Sequence, residues 1–136
     1  MTLVDTCVWS LALRRNRKDL NPHEKYIVFA LRDLIATGKA KTIGPIRQEL
    51  LSGISSSTLF EDLQEYVESL PDIPLTKDIW TLAARFFNTC RANGLAADAI
   101  DMTLCAAAVS HDFPIFTTDP DFTRYATVLP VKLFKP

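Results

Sequence analysis

Apolar residues along this chain fall into short uniform runs and longer runs of helical period, and the two kinds alternate from end to end. Thr2-Leu3-Val4 is a short strand candidate, and the following Thr6 to Arg14 stretch, with Val8, Trp9, Leu11 and Leu13, predicts a short helix. Pro22 starts a stronger helix in which Ile27, Ala30, Leu31, Leu34 and Ile35 form a core-facing stripe, stopped by Gly38. Lys41-Thr42-Ile43-Gly44 predicts a second strand entering a helix with Pro45 in its first turn and Gly53 at its end.

Ser55 to Thr58 reads as a capping and hinge segment, followed by an amphipathic helix marked by Leu59, Leu63, Tyr66, Val67 and Leu70. Ile73-Pro74-Leu75 is at most an edge strand. Thr76 or Lys77 opens the longest helix, with Ile79, Leu82, Ala83, Phe86 and Phe87 as its buried stripe and Gly94 as its terminator. The last third predicts a helix from about Asp98 to His111, a strand from Pro114 to Thr117, a turn or short helix at Asp119 to Tyr125, and a strand around Val128 to Leu133. Short strands alternating with longer helices predict an α/β fold of three layers, a mainly parallel central sheet flanked by helices. With no repeat, low-complexity tract or dividing linker, one domain is expected over 1–136.

Composition adds little to this picture but removes several function classes. At 136 residues and 48% hydrophobic content the chain has enough core to fold without staples. Its acidic opening, Met1 to Asp5, does not suit a signal peptide, and no apolar run approaches membrane-spanning length, so a cytoplasmic protein without membrane contact is expected. Cys7, Cys90 and Cys105 are odd in number and widely spaced, supporting neither a disulfide framework nor a thiolate zinc site. The formal net charge of −1 excludes a globally basic protein. Nucleic-acid contact therefore has to come from local basic groups beside an acidic site.

The acids carry the chemistry. Asp5 ends the first strand and Asp119 follows the Pro114 to Thr117 strand, positions at the carboxyl edge where open α/β sheets place their sites. Asp101 shares a helical face with Leu104, Cys105 and Ala108, and Glu49 shares one with Ile46, Leu50 and Gly53. Each acid also has a plainer reading. Asp5 and Asp119 suit turns or N-caps, Glu49 alone better suits a salt bridge or an exposed stripe edge, Asp98 is favoured as a cap, and Asp101 fits a first-turn acid as well as a ligand. Together, several carboxylates on one edge would repel one another unless a cation compensated them. With His23 and His111 apart from the acid motifs, the donor set is all oxygen, which favours Mg²⁺ or Mn²⁺ over zinc. Arg14, Arg15, Arg17 and Lys18 form the densest basic run, read either as phosphate contacts or as a solvated loop. Trp9, Trp80, Phe86 and Phe87 are assigned to core or dimer packing.

These residues have a familiar order. Leu3-Val4-Asp5-Thr6-Cys7-Val8-Trp9, the Ile46 to Leu50 segment with Glu49, Ile100-Asp101-Met102-Thr103-Leu104-Cys105 and Ile115-Phe116-Thr117-Thr118-Asp119-Pro120-Asp121-Phe122 resemble, nearly end to end, the motifs of the PIN-domain ribonucleases. The likeness is to the small single-domain VapC-type toxins of toxin-antitoxin pairs, with Cys7 where serine is usual. The resemblance implies a metal site of Asp5, Glu49, Asp101 and Asp119, with Asp121 and Asp98 auxiliary and Thr6 and Thr117 as hydroxyl supports. It also implies one or two Mg²⁺ ions, with Mn²⁺ as the alternative, and hydrolysis of RNA (tRNA, rRNA or mRNA) by metal-activated water, leaving a 5′-phosphate. A homodimer and a cognate antitoxin protein are implied in the same way. The rival reading is a catalytically inactive PIN-like binding module, against which the presence of all four acids argues. A haloacid-dehalogenase-type phosphatase would need an aspartate at position 7, where Cys7 stands.

Overall fold

The computed structural model describes all residues, 1–136. Three short strands, β1 (Thr2–Val4), β2 (Ala40–Lys41) and β3 (Ile115–Phe116), form a parallel sheet in the order β2-β1-β3. Thr2 lies opposite Ala40, and Leu3 opposite Ile115. Every residue of β1 is buried, as expected for a central strand covered on both faces. Because all three strands run the same way, their carboxyl ends share one edge, where Asp5 donates its backbone N–H to the Phe116 carbonyl at 2.9 Å.

Seven helices flank the sheet: α1 (Thr6–Leu13), α2 (Pro22–Ala36), α3 (Gly44–Leu51), α4 (Ser57–Glu68), α5 (Lys77–Ala92), α6 (Ala99–His111) and α7 (Asp121–Tyr125). Their starts follow from local chemistry. Asn21 and Glu24 close a reciprocal capping box at α2, and Ser56, Thr76 and Asp98 cap α4, α5 and α6 with side-chain oxygens. Gly38 and Gly94, just beyond α2 and α5, take φ of +69° and +73°, the left-handed turn that glycine adopts without strain. No helix is long and apolar enough to cross a membrane.

The strands are shorter than the sequence pattern predicts. The second was expected over Lys41 to Gly44 but ends at Lys41, because Ile43 already caps α3 and Gly44 begins it. Beyond β2, Thr42 bridges Asp72, and Ile73 donates to the Thr42 carbonyl at 2.9 Å; this is all that forms of the Ile73–Leu75 edge strand. Pro74 has no N–H to extend it. The strand expected around Val128 to Leu133 is replaced by a single bridge between Leu133 and Ile115. Val128 and Leu129 instead turn back to the Tyr125 carbonyl at 3.0 and 2.8 Å, and Pro130 supplies no ladder donor.

Two helical faces also differ from expectation. On α4 only Leu63 and Val67 are buried, while Leu59 and Tyr66 stay exposed, so this helix lays a narrow stripe on the body. Leu59 instead lines a cavity of about 280 Å³ with Leu13, Ile54 and Leu63. In α6 the burial is not one-sided: every residue from Met102 to Ala108 is buried, as expected for a helix enclosed on several sides. The run Ala106-Ala107-Ala108 allows that close approach.

Candidate metal centre

The sheet's carboxyl edge organises the acids. Asp5 is 8% exposed and uses both oxygens: Oδ1 accepts the Thr6 backbone N–H at 2.8 Å, capping α1, and Oδ2 accepts the Thr117 hydroxyl at 2.7 Å. The Cys7 thiol lies 3.4 Å from the same Oδ2. Thr117 in turn accepts the Asp119 N–H at 3.0 Å, and Asp119 Oδ1 accepts the Asp121 N–H at 2.9 Å. One continuous hydrogen-bonded path thus runs from the end of β1 through the segment after β3 to the start of α7.

A single ion's reach covers three carboxylates. Asp101, Asp119 and Asp121, all half-buried, place one oxygen each within 4.8 Å of one another. Asp5 and Glu49, expected as ligands, stand outside this compact group, whereas Asp121, expected as auxiliary, stands inside it. Glu49 is exposed on α3, not buried, and accepts the Thr6 hydroxyl at 2.5 Å. Asp98 is exposed and caps α6 through the Ile100 and Asp101 N–H groups at 2.9 and 3.1 Å. Arg14, Arg15, Arg17 and Lys18 are all exposed, carried away from Asp5 by the eight residues of α1, about 12 Å of helical rise. Arg15 pairs with Glu24 at 3.4 Å.

At Asp101 and Asp5 the surroundings oppose negative charge. Burial, with Asp98, Asp5 and Asp119 nearby, pushes the Asp101 carboxyl up to about 7, although the Tyr125 hydroxyl hydrogen bond partly offsets the rise. Burial also raises Asp5, and the Asp119 charge adds to it. Burial and the Asp5 charge keep the Cys7 thiol above its usual range, so it stays protonated; its sulfur accepts the Thr118 N–H at 3.3 Å. A hard, oxygen-seeking divalent cation fits this donor set, since it would relieve the repulsion that the chain itself leaves in place.

Tyr125 is a site residue that the acid motifs do not single out. It is 2% exposed, and its hydroxyl donates to Asp101 Oδ2 at 2.9 Å. Its spacing of four from Asp121 was the available signal, because i and i+4 share a helical face.

The sequence model of the PIN domain matches residues 2–128. A comparison with curated proteins found no match. Among solved structures, a chain of FitAcB from Neisseria gonorrhoeae superposes with a TM-score of 0.75 at 21% identity, over 100% of this chain and 98% of that one. A chain of VapBC2 from Rickettsia felis, bound to a DNA fragment from its promoter, gives 0.72 at 17% identity, covering 98% and 96%. A chain of the toxin-antitoxin pair VapBC-5 from Mycobacterium tuberculosis gives 0.67 at 18%, covering 99% and 98%. At these identities the structural likenesses speak for the fold, and the family match speaks for descent: the chain belongs to the PIN domain family.

Proposed function

We propose that this protein is a metal-dependent endoribonuclease and the toxin of a toxin-antitoxin pair. The observation that carries the reading is the convergence of Asp101, Asp119 and Asp121 at the edge that Asp5 organises, in a chain of the PIN family. The toxin role is supported by the structural neighbours, several of which are toxin-antitoxin complexes. By that analogy the partners are a cognate antitoxin protein and a second copy of the chain, and the substrate is tRNA, rRNA or mRNA.

Asp101, Asp119 and Asp121 would hold a divalent ion, Mg²⁺ or Mn²⁺, with Asp5 and Glu49 at its margin. Bound there, the ion would polarise the scissile phosphate and make water a competent nucleophile near neutral pH. The chain's own residues prepare the site. Thr117 locks Asp5 against Asp119 through one hydroxyl, and Thr6 holds Glu49. Cys7, protonated and engaged on both sides, is no nucleophile. Cavities of about 280, 330 and 400 Å³ lie elsewhere, between α1 and α4, beside Trp80 and along α4, and the acids of the site line none of these three. Without a cation this edge repels a phosphate backbone, so RNA binding follows metal binding. Arg14, Arg17 and Lys18 are free of carboxylate partners and serve as outlying phosphate contacts.

The test is RNA cleavage by purified protein with Mg²⁺, with EDTA, and with Asp5→Asn and Asp101→Asn variants, followed by end-group analysis. Metal-dependent cutting that leaves 5′-phosphates and disappears in both variants is the expected result. Cutting that survives EDTA, or cyclic-phosphate ends, removes the mechanism. Folded, metal-bound protein that cuts no RNA in a broad set moves the reading to a binding module.

A further inference from the structure

Each of the three clustered acids has one oxygen engaged by a donor of the chain and the other free of hydrogen bonds. Asp119 Oδ1 accepts the Asp121 N–H, Asp121 Oδ1 takes the Arg124 guanidinium, and Asp101 Oδ2 takes the Tyr125 hydroxyl. Asp5 differs, with both oxygens engaged. The three donors are unequal in rigidity. The first is backbone within one turn, and the second is an arginine whose side chain is 59% exposed. Tyr125 reaches from α7 to α6, buried to 2% exposure, its ring set edge-on to Phe122 with centroids 5.3 Å apart. A ring so enclosed is a more rigid donor than the exposed guanidinium.

We infer that Tyr125 is a positioning residue that determines metal selectivity: by engaging Asp101 Oδ2 it leaves Oδ1 as that carboxylate's one oxygen free of hydrogen bonds, and so favours an ion of the Mg²⁺ and Mn²⁺ class over Ca²⁺. The inference rests on the metal site proposed above. Ca²⁺ takes six to eight oxygens and draws on carboxylates that give both, whereas Mg²⁺ keeps near-octahedral geometry with single carboxylate oxygens and several waters. Partners that orient a ligand in this way are worth a large factor in affinity when lost. The four-residue spacing of Asp121 and Tyr125 makes one short helix responsible both for one ligand and for the orientation of another.

Tyr125→Phe removes one hydroxyl and keeps the ring. Asp101 is half-buried, which gives water access to its carboxylate when the donor is lost, and the ring's packing is kept. Mn²⁺ and Ca²⁺ affinities would be measured by titration calorimetry on wild type, Tyr125→Phe and Asp101→Asn, with near-ultraviolet circular dichroism as the check on packing. The expected result is a loss of about tenfold in Mn²⁺ affinity with Ca²⁺ affinity held or raised, so that the preference narrows by at least that factor. An unchanged ratio, whether both affinities hold or fall together, overturns the inference. The metal reading survives that result if wild type binds Mn²⁺ and Asp101→Asn does not, whereas a wild type that binds no Mn²⁺ ends both.

Discussion

Asp101 illustrates how a single residue couples the site to stability. Its carboxyl is pushed up to about 7 by burial and by neighbouring acids. Below the ordinary carboxylate pKa, the folded and unfolded chains are both protonated there, and no penalty exists. As pH rises from that value to about 7 the unfolded chain has released the proton while the folded chain keeps it, so stability falls with pH and the penalty is complete above the folded value. In EDTA, wild type is therefore expected to melt lower at pH 8 than at pH 5, with Asp101→Asn showing a smaller drop; equal drops in thermal melts would remove this account. Cys7 gives a second test. Cys7→Ser keeps a donor for Asp5 and an acceptor for Thr118, and should leave stability within about 1 kcal/mol. Cys7→Val deprives the Thr118 N–H of its acceptor, and a larger loss in denaturant unfolding, about 1–3 kcal/mol, is expected.

At the scale of elements, α7 is the piece that cannot support itself. Five residues are far too few for an isolated helix, so its place is set by Phe122 and Tyr125, both buried. Phe122→Ala should cost about 3–5 kcal/mol in chemical denaturation and weaken Mn²⁺ binding, because Asp121 and Tyr125 move with the helix. Loss of stability with Mn²⁺ affinity intact would separate α7 from the site. The short strands follow the same logic. β2 and β3 have two residues each, and both are held by β1 between them and by the helices over the sheet, not by their own propensity.

For the whole molecule, the α5–α6 face carries an apolar feature open to solvent, where Trp80 is 50% exposed beside a cavity of about 330 Å³ lined also by Phe87 and Met102. If the chain self-associates through this face, Trp80→Glu should shift sedimentation from dimer to monomer without lowering the melting temperature; an unchanged sedimentation coefficient would place the contact elsewhere. The sequence by itself determined the alternation of the helices with β1, β2 and β3, the parallel α/β class, the capping segment at Ser55 to Thr58, the helix start at Thr76 or Lys77, the Asp98 cap, and the places of Asp5 after β1 and Asp119 beyond β3, because each depends on neighbours within a few residues. It also made the family legible, through four short motifs in order. What only the tertiary structure decided is how the acids share their work. Glu49 and Asp101 occupy similar places on their helical stripes, yet one is exposed at the rim and the other half-buried against Tyr125, since burial depends on what packs over a helix. The missing last strand was decided likewise, by the turn of Val128 and Leu129 back onto Tyr125 and by Pro130 after them. Pairing across some twenty residues or more, such as Tyr125 with Asp101 or Thr117 with Asp5, leaves no local period to read, and the physical reason is that those contacts exist only once the sheet and α6 have brought distant segments together.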